Sequence, residues 1–233
     1  VDALQVNKYP LTYSNDAKFI ETEEYYFRAA RTASQPRPWY WIPETFTFKK
    51  GDRMLENQEL RMTALFVALP NGVKGINYYG YHHTGDWVGF NQSPPLLAEI
   101  KKLNAEIKAM EIDFSAALPI SIETVGDKKN GVRVYTLWPG EKRMLIVVRN
   151  LAYATDREPN DLGNKPRFKV FPKRNVQVTV SKPAWLSDFE VLDLLEKKKV
   201  AHQIEKDKII INIGDLELGR ILILKAPEKE RPL

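Results

Sequence analysis

Residues 39–46 read WYWIPETF, and the apolar run at their start decides the fold. This run, WYWI at 39–42, ends before Pro43, as is typical of a short strand buried on both faces. Apolar residues recur at helical spacing before this run, over 21–33, and after it, over about 55–69. A buried strand between two amphipathic helices indicates a parallel sheet covered by helices.

Two further strand–helix pairs flank this one. Residues 1–7 (VDALQVN) and 73–79 (VKGINYY) are the other predicted strands, and a third helix begins at Pro94-Pro95 behind a predicted Ser93 cap. Three strand–helix units predict parallel strands joined by right-handed crossovers.

The apolar pattern changes near residue 117. From Leu118 onward apolar residues mostly alternate with polar ones, in short runs separated by turn residues, and a long polar loop covers 154–165. This pattern is typical of an antiparallel β-sandwich. We therefore predict an α/β domain over 1–116 and an all-β domain over 117–233.

Composition and charge narrow the function classes. The 233 residues are 43% hydrophobic and 28% charged, as in a globular protein, and no apolar run reaches the about 18 residues of a membrane span. The formal charge of +5 comes from 35 basic and 30 acidic residues that are interspersed, so we expect no nucleic-acid partner. Zero cysteines exclude disulfides, thiolate zinc sites and cysteine catalysis.

The compartment stays open at this stage. The sequence begins with Val1 and shows no charged-then-apolar leader, so we expect that a signal peptide, if there is one, lies upstream. A secreted or cell-surface location is slightly favoured over a cytoplasmic one.

Several stretches of the chain resemble a known family. They are the segments VNKYPL at 6–11, WIPETF at 41–46, ENQELRMTALFVAL at 56–69, GVKGINYYGY at 72–81 and PLLAEIKKLNAEI at 95–107. Together they resemble the end of a β-galactosidase-like glycoside hydrolase, a (β/α)8 barrel (TIM barrel) followed by a C-terminal all-β domain. The resemblance implies that the three strands are barrel strands six, seven and eight.

Three strands cannot close a barrel, because closure links strand number to tilt. We therefore expect a fragment, or one part of a split or assembled barrel whose missing N-terminal part comes from the same precursor or another chain. The alternative is a free-standing sheet of three units.

The resemblance also implies where a site lies, since active sites of such barrels lie at the carboxyl ends of the strands. It assigns the catalytic nucleophile to Glu44, after strand seven. The implied carbohydrate-binding residues follow the strands or lie beside the nucleophile: Asn7, Tyr9, Trp41, Tyr79, Tyr81, His82 and Trp87. Aromatic rings there suit the C–H faces of sugars.

Glu44 has three open interpretations: nucleophile, sugar-binding carboxylate and structural residue. A retaining mechanism requires a second carboxylate about 5 Å away, which the family takes from strand four, outside this chain. We therefore expect this chain to be inactive alone.

Neither a metal nor another cofactor is expected. His82 and His83 are adjacent, so their side chains point apart on an extended chain, and the third histidine lies in the predicted β domain. The predicted function is part of a glycoside hydrolase that cleaves O-glycosidic bonds in carbohydrates. The alternative is a non-catalytic carbohydrate-binding or cell-surface structural protein with a degenerate barrel.

Overall fold

The computed structural model describes residues 2–9, 18–82, 85–140 and 142–226. Its contacts divide the chain into two compact units, the first formed by 1–111 with 153–170 and the second by 112–152 with 171–233. The sequence placed the whole of 117–233 in one domain, whereas residues 153–170 pack with the first unit. No helix in these described ranges is long and apolar enough to span a membrane.

A three-stranded parallel sheet lies in the first unit. Its strands are adjacent in chain order: β1 (Leu4–Val6), β2 (Trp39–Trp41) and β4 (Gly75–Ile76). Two more short strands, β3 (Phe46–Thr47) and β5 (Val88–Gly89), pair with each other antiparallel. The predicted parallel strands are therefore confirmed in order and direction.

Helices follow each parallel strand. They are α1 (Phe19–Ser34), α2 (Asn57–Thr63) and α3 (Pro94–Ala109), with a short α4 (Glu111–Ser115) after them. The helical path of α2 continues as a π-helix over Ala64–Ala68 and a 3-10 turn over Leu69–Asn71, all buried. Ser93 is the N-cap residue of α3, as predicted, and its carbonyl accepts the N–H of Leu97 at 3.0 Å. Its hydroxyl makes no side-chain cap hydrogen bond and donates instead to the carbonyl of Leu162 at 2.5 Å.

The second unit is antiparallel. A six-stranded sheet has the order β13-β12-β16-β8-β7-β6, and a three-stranded sheet has the order β11-β15-β14. Their bounds are β6 (Leu118–Val125), β7 (Val132–Trp138), β8 (Met144–Asn150), β11 (Lys173–Ser181), β12 (Glu190–Asp193), β13 (Lys198–Lys199), β14 (His202–Glu205), β15 (Lys208–Leu216) and β16 (Gly219–Lys225).

One buried apolar cluster draws on both of these sheets. Alternate residues of β8, such as Ile146 and Val148, share it with alternate residues of β11 and β15, such as Val178 and Ile211. The period of two read from the sequence thus places one face of each sheet in a common core.

Residues 153–170, between β8 and β11, form a hairpin-like segment that we call the excursion. It contains β9 (Tyr153–Thr155) and β10 (Phe168–Val170), which pair antiparallel, and its contacts belong to the first unit. The predicted polar loop is therefore the tip of this excursion.

Candidate functional site

The carboxyl ends of the parallel strands lie side by side. The backbone N–H of Ile42 donates to the carbonyl of Val6 at 2.8 Å, and that of Asn77 donates to the carbonyl of Trp41 at 2.8 Å. The hydrogen bonding between neighbouring strands thus continues past the strand ends. The segments that follow all leave the sheet at the edge formed by the carboxyl ends of the strands. Asn7 is solvent-exposed at this edge.

Aromatic rings gather beyond that edge. We call Tyr9, Phe46, Phe48, Tyr79 and Trp87 the aromatic cluster. The ring of Phe46 lies at its centre, with centroid distances of 5.2 Å to Tyr9, 5.0 Å to Phe48, 5.4 Å to Tyr79 and 5.2 Å to Trp87. Three predicted sugar-binding residues therefore meet around one phenylalanine.

The cluster combines a buried centre with exposed rings. Phe46 is 1% exposed, whereas Trp87 is 37% and Tyr79 is 46% exposed. Aromatic rings that present a face or an edge to solvent at the end of a sheet suit ligands with both C–H and hydroxyl groups.

Tyr81 and His82 form a neighbouring aromatic pair. Their rings are 4.6 Å apart at 77°, and Tyr81 also meets the buried Phe90 at 5.2 Å. Both Tyr81 and His82 are exposed, while His83 lies outside the described residues. Among the described residues no group of three histidines or carboxylates could hold a metal ion.

Trp41, another predicted sugar-binding residue, is not part of the aromatic cluster. Its side chain is 1% exposed and packs at 5.6 Å against Phe27 of α1. The alternation of β2 thus turns Trp41 towards the helix layer, where it contributes to the core of the first unit.

Glu44 is buried in an acidic environment. It is 3% exposed, and its charge acts together with that of Glu59 on Glu23 of α1. Burial is the largest influence on Glu23 and raises its pKa well above the usual range, and repulsion from Glu44 and then Glu59 raises it further. Both influences favour the protonated form of Glu23.

A buried arginine balances part of this negative charge. Nη2 of Arg53 lies 2.6 Å from Glu59 and 2.9 Å from the hydroxyl of Thr155, which itself donates to Glu59 at 2.6 Å. This network joins α2 to the excursion within the first unit. Arg53 is itself buried and therefore belongs to the interior of this unit.

Glu56 fixes the excursion at a second point. Its carboxylate accepts the backbone N–H groups of Arg167 and Phe168, and burial followed by repulsion from Glu59 raises its pKa. Asn160 adds two bonds to the backbone of Met54, at 3.0 and 2.6 Å. These contacts hold the loop that follows β3.

Sequence reasoning missed Glu23, Phe48 and the role of Phe46. Glu23 lies four residues after Phe19 and four before Phe27, so helical spacing alone places it on the buried face of α1. That spacing is the signal that could have identified it. The central position of Phe46 has no comparable signal, because its partners lie far apart in the chain.

Comparisons with known proteins gave structural matches alone. No family model and no curated protein matches. The Thermotoga maritima α-fucosidase in complex with fucose has a TM-score of 0.48 at 10% identity, over 83% of this chain and 41% of that one. An α-L-fucosidase GH29 from Bacteroides thetaiotaomicron has a TM-score of 0.42 at 10% identity, over 84% and 39%.

A third match is shorter. Isoenzyme 2 of the α-L-fucosidase from Paenibacillus thiaminolyticus has a TM-score of 0.34 at 12% identity, over 57% of this chain and 18% of that one. The chain thus spans about two-fifths or less of the length of these three solved chains. These neighbours are glycoside hydrolases, and they are fucosidases rather than the β-galactosidase-like enzymes named from the sequence.

Proposed function

We propose that the chain forms the last three βα units of a (β/α)8-barrel glycoside hydrolase, followed by a C-terminal β-sandwich. The observation that carries the proposal is the aromatic cluster, which lies beyond the carboxyl ends of three parallel strands in chain order. In a barrel this end of the strands holds the active site. The missing strands come from the same precursor or from another chain.

The aromatic cluster is the proposed sugar-binding surface. Trp87, Tyr79 and Tyr81 are exposed, and Phe46 supports the first two from beneath. A pyranose ring stacks on such rings through its C–H face, while its hydroxyl groups bind polar side chains such as Asn7 and His82. The expected partner is therefore a carbohydrate.

Glu44 is the proposed nucleophile of a retaining mechanism. Its carboxylate attacks the anomeric carbon and forms a glycosyl-enzyme bond, while the departing oxygen takes a proton from a carboxylic acid supplied outside this chain. Water then attacks the same carbon and gives its proton to that second residue. The bond between the sugar and Glu44 breaks, so the sugar leaves and Glu44 is a carboxylate again.

The test is glycoside turnover by the complete protein. The substrates are p-nitrophenyl β-D-galactoside, named by the sequence resemblance, and p-nitrophenyl α-L-fucoside, named by the structural matches. We expect Glu44→Gln to lower kcat by at least about a thousandfold with an unchanged fold. Glu158→Gln, which changes an exposed glutamate of the same unit, is the matched control. Normal turnover by Glu44→Gln excludes the nucleophile role.

A second candidate function is sugar binding without hydrolysis. The observation that favours it is that Glu44 is buried and that its charge, like that of Glu59, acts on Glu23. A carboxylate with a purely structural role is buried in the same way. Calorimetric titration with D-galactose and L-fucose separates the two. Binding that depends on Trp87, with no turnover by the wild-type protein, supports this second function.

A further inference from the structure

Phe46 is the common partner of the rings that form the proposed sugar surface. It contacts Tyr9 from the segment after β1, Tyr79 from the segment after β4, and Trp87 just before β5. These three chain segments are separate in sequence, and Phe46 itself lies in β3. One ring therefore joins all of them.

The backbone around Phe46 fixes where its ring lies. Phe46 pairs with Gly89 across the β3–β5 ladder, and the neighbouring Thr45 donates its hydroxyl to the carbonyl of Tyr79 at 2.7 Å. A Cβ on Gly80 would lie 2.6 Å from the Cβ of Phe46, so the chain crosses Phe46 at a point where only glycine fits. The phenylalanine is thus held by two neighbouring backbone segments, the one at Tyr79 and Gly80 and the one at β5.

The contact with Trp87 differs in geometry from the others. The two rings are nearly parallel, at 18°, whereas Tyr9, Phe48 and Tyr79 meet Phe46 edge to face, at 88°, 72° and 73°. Phe46 therefore covers one face of the indole, and Trp87 remains 37% exposed. An exposed indole without such a support would occupy several rotamers and would lose that freedom on binding.

We propose that Phe46 is a positioning residue for sugar binding, which holds Trp87 in the orientation that a neutral pyranose ring stacks on. The proposal rests on the proposed function, because it takes the aromatic cluster as the sugar surface. Phe46 is itself too buried to touch a ligand, so it acts through Trp87. Preorganising one aromatic side chain corresponds to a gain in affinity of about three- to tenfold.

The experiment is a double-mutant cycle on the complete protein. Dissociation constants of D-galactose and L-fucose are measured by calorimetry for the wild type, Phe46→Leu, Trp87→Ala and the double variant. We expect Phe46→Leu to weaken binding of the better sugar about three- to tenfold, and to have no further effect once Trp87 is alanine. Phe46→Tyr keeps the aromatic ring and should bind within twofold of wild type.

Phe66→Leu is the matched control for the loss of a buried ring. Phe66 is buried in the π-helix that follows α2, in a different part of the unit. We expect this variant to lower the melting temperature and to leave sugar affinity unchanged. If Phe46→Leu does not fold, Phe46→Met fills similar space without a ring face and carries the same expectation.

Three results would overturn the proposal. The first is wild-type affinity in Phe46→Leu, and the second is an equal loss of affinity in the presence and absence of Trp87. The third is wild-type affinity in Trp87→Ala, which moves sugar binding away from the aromatic cluster and overturns the proposed function as well. The first two results leave the proposed function intact.

Discussion

Glu23 illustrates how folding favours the neutral form of a side chain that is ordinarily ionised. It lies on the buried face of α1, accepts a hydrogen bond from the Thr63 hydroxyl at 3.4 Å, and faces the charges of Glu44 and Glu59. Burial and repulsion both favour its protonated form. Its protonation therefore links the stability of the first unit to pH.

The pH dependence has a definite sign. Above the ordinary glutamate pKa of about 4.3, the unfolded chain loses the Glu23 proton while the folded chain keeps it. The contribution of Glu23 to stability therefore falls as pH rises, by at most about 1.4 kcal/mol per pH unit, until its raised pKa is passed. Glu23→Gln cannot ionise and should remove this slope. Urea unfolding followed by circular dichroism at pH 5, 6, 7 and 8 measures it.

The exposed variant Glu158→Gln is the control for that series and should follow the wild-type curve. Parallel curves for the wild type and Glu23→Gln would contradict the raised pKa of Glu23.

At the residue scale, sequence patterns predicted environments better than orientations. The run of 39–42 was expected to be buried, and Trp39, Trp41 and Ile42 are, whereas Tyr40 is half-buried. Which side chains of that run face a sugar could not be inferred, because the direction in which a strand alternates depends on where the helices pack. Trp41 was consequently assigned to the sugar site, although it packs against α1.

At the scale of elements, the crossing of two segments depends on one glycine. Gly80 has φ +79, and an added Cβ would lie 2.6 Å from Phe46. Gly85 also has a positive φ, of +61, but has open space around it. Comparing the same substitution at Gly80 and Gly85 therefore separates the cost of backbone strain from the cost of steric overlap.

Gly80→Ala should therefore destabilise the protein more than Gly85→Ala. We expect about 2–4 kcal/mol for Gly80→Ala, because it adds overpacking to the left-handed backbone cost, and about 1 kcal/mol for Gly85→Ala, which has the backbone cost alone. Chemical denaturation of both variants measures the difference. Equal losses would show that the chain after β4 shifts to accommodate a methyl group.

Helices and strands were largely predictable because their apolar periods are regular. The helix expected over 21–33 is α1, and the strands expected from 118 onward include β7, β8, β11 and β15. The short ladder of β3 and β5 was missed, since two-residue strands have no measurable period. That ladder carries Phe46, so the missed element is also the one that organises the aromatic cluster.

At the scale of the whole chain, the excursion over 153–170 links two parts of the sequence. It leaves the second unit after Ala152 and re-enters it at Phe171, whose N–H donates to the carbonyl of Ala152 at 2.8 Å. Between those points its contacts belong to the first unit. A linear division at residue 117 could not have foreseen this, because the contacts depend on single polar side chains such as Asn160.

Replacing residues 153–170 by Asn-Gly tests whether the first unit depends on the excursion. Ala152 and Phe171 are already joined by a backbone hydrogen bond, and a two-residue turn suits such a junction. We expect the amides of β8 and β11 to keep their protection in hydrogen-exchange mass spectrometry. Those of α2 should exchange at least about tenfold faster, because Met54, Glu56 and Glu59 lose buried partners. Asn164→Ala, an exposed change in the same segment, should leave both sets unchanged. Wild-type protection of α2 after the replacement would show that the first unit is stable without the excursion, and lost protection of β8 would show that the second unit needs it.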